Sequence, residues 1–523
     1  MATLIDLDAL DQPETSASCD VCVIGAGAAG LYLVHRLAGA GLTVVALEAG
    51  GKTCESGAAI GIEPLFTGSE YGGALEGRAF GWGGTTSKWG GLLVPHSECD
   101  LRDDSDPASA TWKHIVQTVK ERSNAVLSTL GLHGEADFFS LPRAVRGEHA
   151  DLLHVRGLEP VAAKALPFQR RNLIYLASRG VNQDATVYLN AVAAEWFVEP
   201  GAKGMGALRR VGAISRGGKK LQVTAKCFVI AVGAIESARV LLEMDRATGE
   251  RMFPRFAAIG DYLSDHLSCT IAEVHAEDRW KAATLFGPVF SRGCMRSFRF
   301  IESSTGPPAP RNFAHFIFDI DNVGFRLARD ILHGLQSGAL PDVRITDVIE
   351  GIGGLSHLAY DRYVKSILFI PRDTPAHFQV DMEQVPDAAN RVRLGEEIDR
   401  YGRPVAVVHW RVSERDREDI RLASQRLVAK WPEHAHGFPR LVPIDIGEAQ
   451  FKPHDAYHPV GTCRMGTGQG AVAEHRLRVG GTENLYLLST GLFPTAGTAN
   501  PTFSMLCLGD ALADRLANLR ADA

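Results

Sequence analysis

The stretch that most narrows the possible folds is "CDVCVIGAGAAGLYLVHRLAGAGLTVVALEAGG", Cys19 to Gly51. It reads as a short apolar strand, a glycine turn, a segment of helical period and a second apolar strand ending at Glu48, which together make a βαβ unit. Gly25, Gly27 and Gly30 supply GxGxxG. The first permits the tight turn, the second lets backbone approach a pyrophosphate, and the third lets helix and strand pack closely. A pyrophosphate would then rest on a helix amino terminus. Glu48 follows Gly25 by 23 residues, at a strand end where a carboxylate accepts hydrogen bonds from an adenosine ribose and disfavours a 2'-phosphate. Ala26, Ala29 and Ala49, beside these residues, complete the dinucleotide contacts expected in this unit.

A chain of 523 residues is too long for one ordinary core. From Val192 to Ala225, β-like runs alternate with glycine turns, and "KCFVIAVGAIESARVLLEM" then returns to strand, glycine and helix around Gly233. The return implies a discontinuous nucleotide domain. Residues 280 to 450 hold further β-like stretches, such as "HFQVDMEQV" and "RPVAVVHWRV", and read as a separate sheet. The expected fold is mixed α/β, with a Rossmann-like domain from residues 18–100, 180–275 and 451–523. A substrate domain from 101–179 and 276–450 is expected on a second, largely antiparallel sheet.

Several function classes are excluded. A net charge of −6 lacks the basic excess of a nucleic-acid binder. Residues 1 to 18 have no basic or apolar signal region, and no uncharged apolar run approaches a membrane span, so a cytoplasmic protein is expected. The nine cysteines lack disulfide or metal-ligand spacing, and no metal site is expected. The Cys19–Cys22 pair straddles the start of an apolar run and reads as incidental strand cysteines.

Three segments carry candidate chemistry. In "GRAFGWGGTTSKWGGLLVPHS", Gly77 to Ser97, Gly83, Gly84, Gly90 and Gly91 would let backbone pass close to something flat. Trp82 and Trp89 could wall a planar ring; the bland alternative is a glycine-rich loop with buried tryptophans. In "AYHPVGTCRMG", His458 is a candidate base for an alcohol proton at neutral pH, or a packed and satisfied loop histidine. In "STGLFPTAGTANPTFSMLCLGDALADRL", small residues, two prolines and Asn500 precede the last helical pattern, where Asn500 can serve as a cap.

In combination, "VIGAGAAG" with Glu48, "GWGGTTSKWGG", "VIAVGAIESARVLL", "IGDYLSDHL", "MEQVPDAANRVRLGEEIDRYGRP", "YHPVGTCRMG" and "ENLYLLSTGLFPTAGTANPT" resemble, in this order, the glucose/methanol/choline (GMC) flavin oxidoreductases. The resemblance implies FAD with its adenosine half on the first βαβ unit, Glu48 on the ribose, and the backbone around Ala193 at the adenine. Trp82, Gly83, Gly84 and Thr85, with Trp89 and Gly90, would line the flavin. Gly491 to Thr502, including Asn500 and Pro501, would approach its pyrimidine end.

The same resemblance implies His458 as catalytic base. Asn500, which matches the His/Asn subgroup that includes cholesterol and pyranose oxidases, would be the partner on the substrate oxygen. Alcohol oxidation removes the hydroxyl proton while a hydride leaves carbon for flavin N5, so one base and one donor on the same oxygen suffice. The expected enzyme oxidises a primary or secondary alcohol, on a sugar, glycoside or aminoglycoside, with oxygen or another carrier as electron acceptor.

Two departures qualify the resemblance. Lys88 stands where relatives with a covalently bound flavin have a histidine, so noncovalent FAD is expected. Ser489 and Thr490 stand around the Asp that many members use on the ribityl chain. Asp265, His266 and Arg464 read as structural polar contacts, Arg464 as an ion-pair partner. The rival readings are a nicotinamide-dependent dehydrogenase, a lyase, or a flavoprotein that keeps FAD only as scaffold.

Overall fold

A computed structural model describes residues 2–134, 137–138, 155, 157–178, 184–200, 205–254, 257–302, 309–338, 344–431, 437–445 and 452–521. The fold is mixed α/β and rests on two large sheets.

The first sheet begins with the βαβ unit. Glu14–Ile24 and Val44–Leu47 pair in parallel around helix Ala28–Gly39, and their inner ends are buried apolar runs. Such continuous apolar strands belong in sheets covered on both faces. Ala185–Leu189 and then Thr3–Asp6 extend this side in parallel. On the other side, Lys220–Ile230 pairs along Glu14–Ile24. Its far edge is divided: Lys220 to Thr224 take the antiparallel strand Gly206–Ile214, while Phe228 to Ile230 take Leu485–Leu487 in parallel. Val192–Pro200 closes that edge. The carboxy-terminal segment therefore enters the sheet beside the strand that leads into helix Gly233–Ala247.

The second sheet is antiparallel throughout, in the order Leu441–Pro443, His266–Val274, Ala376–Glu383, Asn312–Phe318, Cys294–Glu302, Leu158–Ala165 and Leu92–Leu93. His454–Asp455 adds to His266–Val274 at Leu267 and Ser268. Thr3–Asp6 thus joins the first sheet ahead of residue 18, and His266–Val274 opens the second sheet before the boundary drawn at residue 276. A three-stranded sheet, Arg391–Ile398, Pro404–His409 and Leu65–Phe66, lies beside helix Gly233–Ala247.

The last helix, Pro501–Ala521, packs between Ala28–Gly39 and Ser109–Thr129. Its buried Asp510 accepts from Tyr32 Oη at 2.7 Å and pairs with Arg36 and, at 3.3 Å, with Arg122. Losing Asp510 would leave buried Tyr32 Oη without its acceptor and part-exposed Arg36 and Arg122 with Asp514, a cost of about 1–3 kcal/mol. Asp510→Ala is therefore expected to lower the urea midpoint of unfolding by that equivalent, and an unchanged midpoint would contradict this role.

All nine cysteines are free thiols, and Cys19 and Cys22 are buried strand residues. Among the described residues no helix is long and apolar enough to cross a membrane, and no cluster of His, Cys, Asp and Glu could hold a metal ion.

Candidate active site

A long groove begins where the first strand of the βαβ unit ends. Gly25, Gly27, Ala29, Glu48 and Ala49 line it, and farther along its walls are Gly84, Thr85, Ala193, Gly233, Ser489 and Thr502. Local backbone explains the glycines. A Cβ at Gly30 would lie 1.9 Å from the Gly25 carbonyl oxygen, so close packing of helix on strand requires glycine there. A Cβ at Gly27 would meet nothing within 4 Å, so its backbone faces open space.

Glu48 does more than face the groove. Its carboxylate accepts from the backbone N–H groups of Ala26 at 2.7 Å, Gly81 at 2.8 Å and Gly50 at 3.2 Å. It thereby ties the first turn to the glycine-rich segment, while burial pushes its pKa up. A carboxylate offers about four acceptor positions, so one remains for a hydroxyl donor.

The two tryptophans stand away from this groove. Trp82 lines a separate cleft with Phe168, Asn172 and Tyr175. The Trp89 indole donates to the Arg171 carbonyl at 2.6 Å. Gly83 abuts Asn172, whose Oδ1 would be 2.3 Å from an added Cβ; Gly90 has no such neighbour. Gly491 packs on Thr462, and Pro501 opens the last helix. None of these residues lines the groove, whose walls on this side include Gly77, Arg78, Ala79 and Gly84. Sequence reasoning missed Arg78, Glu236 and Arg403 on the groove wall, where Glu236 joins both arginines at 3.0 and 2.9 Å. Isolated charges far apart in sequence gave no signal for this cluster.

The groove ends beside Tyr457 and Pro459, which flank His458. The position of His458 follows from sheet register. His454–Asp455 pairs with the start of His266–Val274, and Tyr457 then turns through a left-handed φ of 60°. This aims the His458 backbone N–H at Asp265, whose carboxylate accepts it at 2.9 Å while also accepting from Tyr71 Oη. Burial pushes the Asp265 pKa up to about 8, opposed by the Tyr71 hydrogen bond.

The residues before Asn500 form a tight loop with its own anchors. Asp100 accepts from Thr498 N at 2.7 Å and from Thr498 Oγ1 at 2.9 Å. His96 Nε2 meets the Ala496 carbonyl at 2.9 Å, and Glu383 accepts from Gly497 N at 3.2 Å. Gly497 has a φ of 66°, and a Cβ there would fall 2.6 Å from Asp100. Small residues and prolines are what this crowded turn admits.

The loop delivers Asn500 so that its Nδ2 lies 2.8 Å from His458 Nε2. Its Oδ1 accepts from Arg299 at 2.9 Å. Both polar ends of the side chain are thus engaged by other side chains rather than by the helix it precedes. Arg299 comes from strand Cys294–Glu302 and packs its guanidinium 4.1 Å over Phe313. Burial lowers its pKa to about 10, which leaves it charged at neutral pH. His266, read from sequence as a structural contact, touches the candidate base: its Nδ1 lies 3.1 Å from His458 Nδ1. Burial, then His266 and Arg299, hold the His458 pKa well below the usual histidine range, so its imidazole is neutral at neutral pH. Arg464 stacks 3.5 Å over the Tyr262 ring, and it has no ion pair among the described residues.

The family model for GMC oxidoreductases, carboxy-terminal part, matches residues 386–509, the span that contains His458 and Asn500. Along nearly its whole length the chain is similar to 6'''-hydroxyparomomycin C oxidase of Streptomyces lividus, with 24% identity covering 98% of this chain and 95% of the relative. A shorter match, to oxygen-dependent choline dehydrogenase of Chromohalobacter salexigens, is 43% identical over 61 residues, 12% of this chain and 11% of that one. The carboxy-terminal part of the chain, residues 386–509, belongs to the GMC oxidoreductase family.

Solved structures agree with this fold. Pyridoxine 4-oxidase of Mesorbium loti superposes with a TM-score of 0.59 at 17% identity, over 95% of this chain and 99% of the other. Formate oxidase of Aspergillus oryzae gives 0.55 at 13% identity, over 97% and 99%. This GMC protein is an oxidoreductase.

Proposed function

We infer that this GMC oxidoreductase binds FAD noncovalently and oxidises a primary or secondary alcohol to the aldehyde or ketone. The observation that carries this reading is the 2.8 Å contact of His458 Nε2 with Asn500 Nδ2 at the end of a groove that starts on GxGxxG.

The groove fits FAD on two further grounds. The Gly27 backbone is open to a pyrophosphate. Ser489 Oγ, on a groove residue, is buried with no hydrogen-bond partner among the described residues, and a ribityl hydroxyl could satisfy it. Glu48 would hold the ribose and Ala193 would meet the adenine, while Gly84, Thr85 and Thr502 line the way toward His458. When bound, FAD supplies the acceptor for the hydride that leaves the alcohol carbon. With the alcohol in place of the Asn500 amide at Nε2, His458 takes the hydroxyl proton there, and an Asn500 N–H holds the same oxygen. The segments assigned to the cofactor and substrate domains would each contribute to this site.

A sugar, glycoside or aminoglycoside is the substrate class best supported, through the similarity to an oxidase of a hydroxyparomomycin. Oxygen or another carrier would reoxidise the flavin, and the enzyme would work in the cytoplasm.

Two measurements test the reading. The purified protein is expected to show flavin bands near roughly 370 and 450 nm, and a panel of sugar and aminoglycoside alcohols should bleach the latter anaerobically. A colourless protein, or a flavin that no alcohol reduces, would contradict it. Acid precipitation is expected to release all FAD, because exposed Lys88 replaces the attachment histidine. Yellow colour kept by the washed pellet would contradict noncovalent binding.

A further inference from the structure

The side chains around His458 form a single file. Arg299 donates to Asn500 Oδ1 at 2.9 Å, Asn500 Nδ2 lies 2.8 Å from His458 Nε2, His458 Nδ1 lies 3.1 Å from His266 Nδ1, and His266 Nε2 lies 2.9 Å from the Gly497 carbonyl oxygen. The two ends of this file can each act in only one way. A guanidinium has donors alone, so the Asn500 atom that meets Arg299 must be its oxygen, and the amide nitrogen must face His458. A carbonyl oxygen only accepts, so His266 must carry its proton on Nε2.

These constraints meet at His458. Burial favours the neutral form of His266, which leaves its Nδ1 as a lone pair. Two lone pairs cannot face each other at 3.1 Å, so His458 must carry its proton on Nδ1. Its Nε2 is then the lone pair, as the approach of the Asn500 amide also requires. Working from either end gives the same tautomer, and every hydrogen bond in the file runs in one direction.

We propose that His266 is a positioning residue that holds His458 in the Nδ1–H tautomer, so that the Nε2 lone pair faces the alcohol, with Arg299 fixing the Asn500 amide at the other end. This rests on the reading of His458 as base. An alcohol oxygen that displaces the Asn500 amide from Nε2 donates its proton there and accepts from the amide N–H. As the proton arrives, the imidazolium keeps its Nδ1–H on His266. FAD, when bound, would accept the hydride with its electron pair, so the proton gained by His458 balances the proton lost by the hydroxyl. The opposite tautomer would put an N–H where the alcohol proton must go.

Holoenzyme with 15N-labelled histidine tests this, with His458→Ala used to assign the His458 signals. The wild-type spectrum is expected to show His458 as Nδ1–H. His266→Phe removes the acceptor for Nδ1–H and leaves the Asn500 amide as the remaining constraint, so a fraction of His458 as Nε2–H should appear beside Nδ1–H. It should also slow anaerobic flavin reduction on the order of 10²-fold, with FAD content and substrate KM little changed. His266→Asn places an oxygen near the former Nδ1 and should restore both tautomer and rate to within several-fold. Wild-type His458 found as Nε2–H would overturn the proposal. So would His266→Phe with the wild-type tautomer and rate. Unchanged reduction by His458→Ala would instead remove the base assignment while the tautomer spectrum still reports on His266.

Discussion

His458→Ala is expected to keep its FAD and to lose anaerobic flavin reduction by 10²- to 10⁴-fold, the range typical of removing a general base. Retention follows from how the residue is held. The groove wall is made by Tyr457 and Pro459, not by the imidazole, and the backbone N–H at position 458 stays on the Asp265 carboxylate at 2.9 Å. The variant leaves His266 Nδ1 and Asn500 Nδ2 without their partner, which costs about 1–3 kcal/mol of stability. A lower melting temperature with full FAD occupancy is therefore part of the expected result. Wild-type reduction rates would remove His458 from the chemistry.

Asn500→Asp is expected to be nearly as severe, although an aspartate caps a helix as well as an asparagine does. The introduced carboxylate has no donor for His458 Nε2, which now receives the amide N–H at 2.8 Å. One oxygen would pair with Arg299, and the other would meet the imidazole lone pair. That repulsion is relieved when His458 takes a proton, which raises its pKa and consumes the base form at neutral pH. Reduction should slow and recover as pH rises. The added negative charge should also lower the flavin potential, because the reduced ring is an anion. Asn500→Ser, shorter and neutral, should weaken substrate orientation with little effect on the potential. Unchanged rate and potential in both variants would remove Asn500 from the chemistry and leave it a structural partner of Arg299.

The sequence made some parts of this site legible and hid others for physical reasons. GxGxxG and Glu48 are local: their roles follow from a single turn, so the groove's first end could be read from Cys19 to Gly51. His458 and Asn500 lie 42 positions apart, and no periodicity joins them; family resemblance suggested the pair, and their 2.8 Å contact comes from a tertiary arrangement. Arg299 was invisible because a charged residue in a strand reads as solvent-facing, whereas here the second sheet turns it inward against Phe313 and Asn500. His266 was noticed but given a bland role, since its contact with His458 depends on the pairing of Leu267 with Asp455. Trp82 and Trp89 show how placement depends on turns that the sequence does not spell out. Large aromatics in a glycine-rich segment suggest ring walls, but their backbone turns carry them to Phe168 and Arg171.

The most direct measurement is the pH dependence of anaerobic flavin reduction by a substrate alcohol between about pH 5.5 and 9. Because His458 is held well below the usual histidine range, its base form persists as pH falls. The rate should therefore stay level through pH of about 6.5, the ordinary histidine pKa. A rate that falls to half with a midpoint near that value would contradict a buried, neutral His458 as the base.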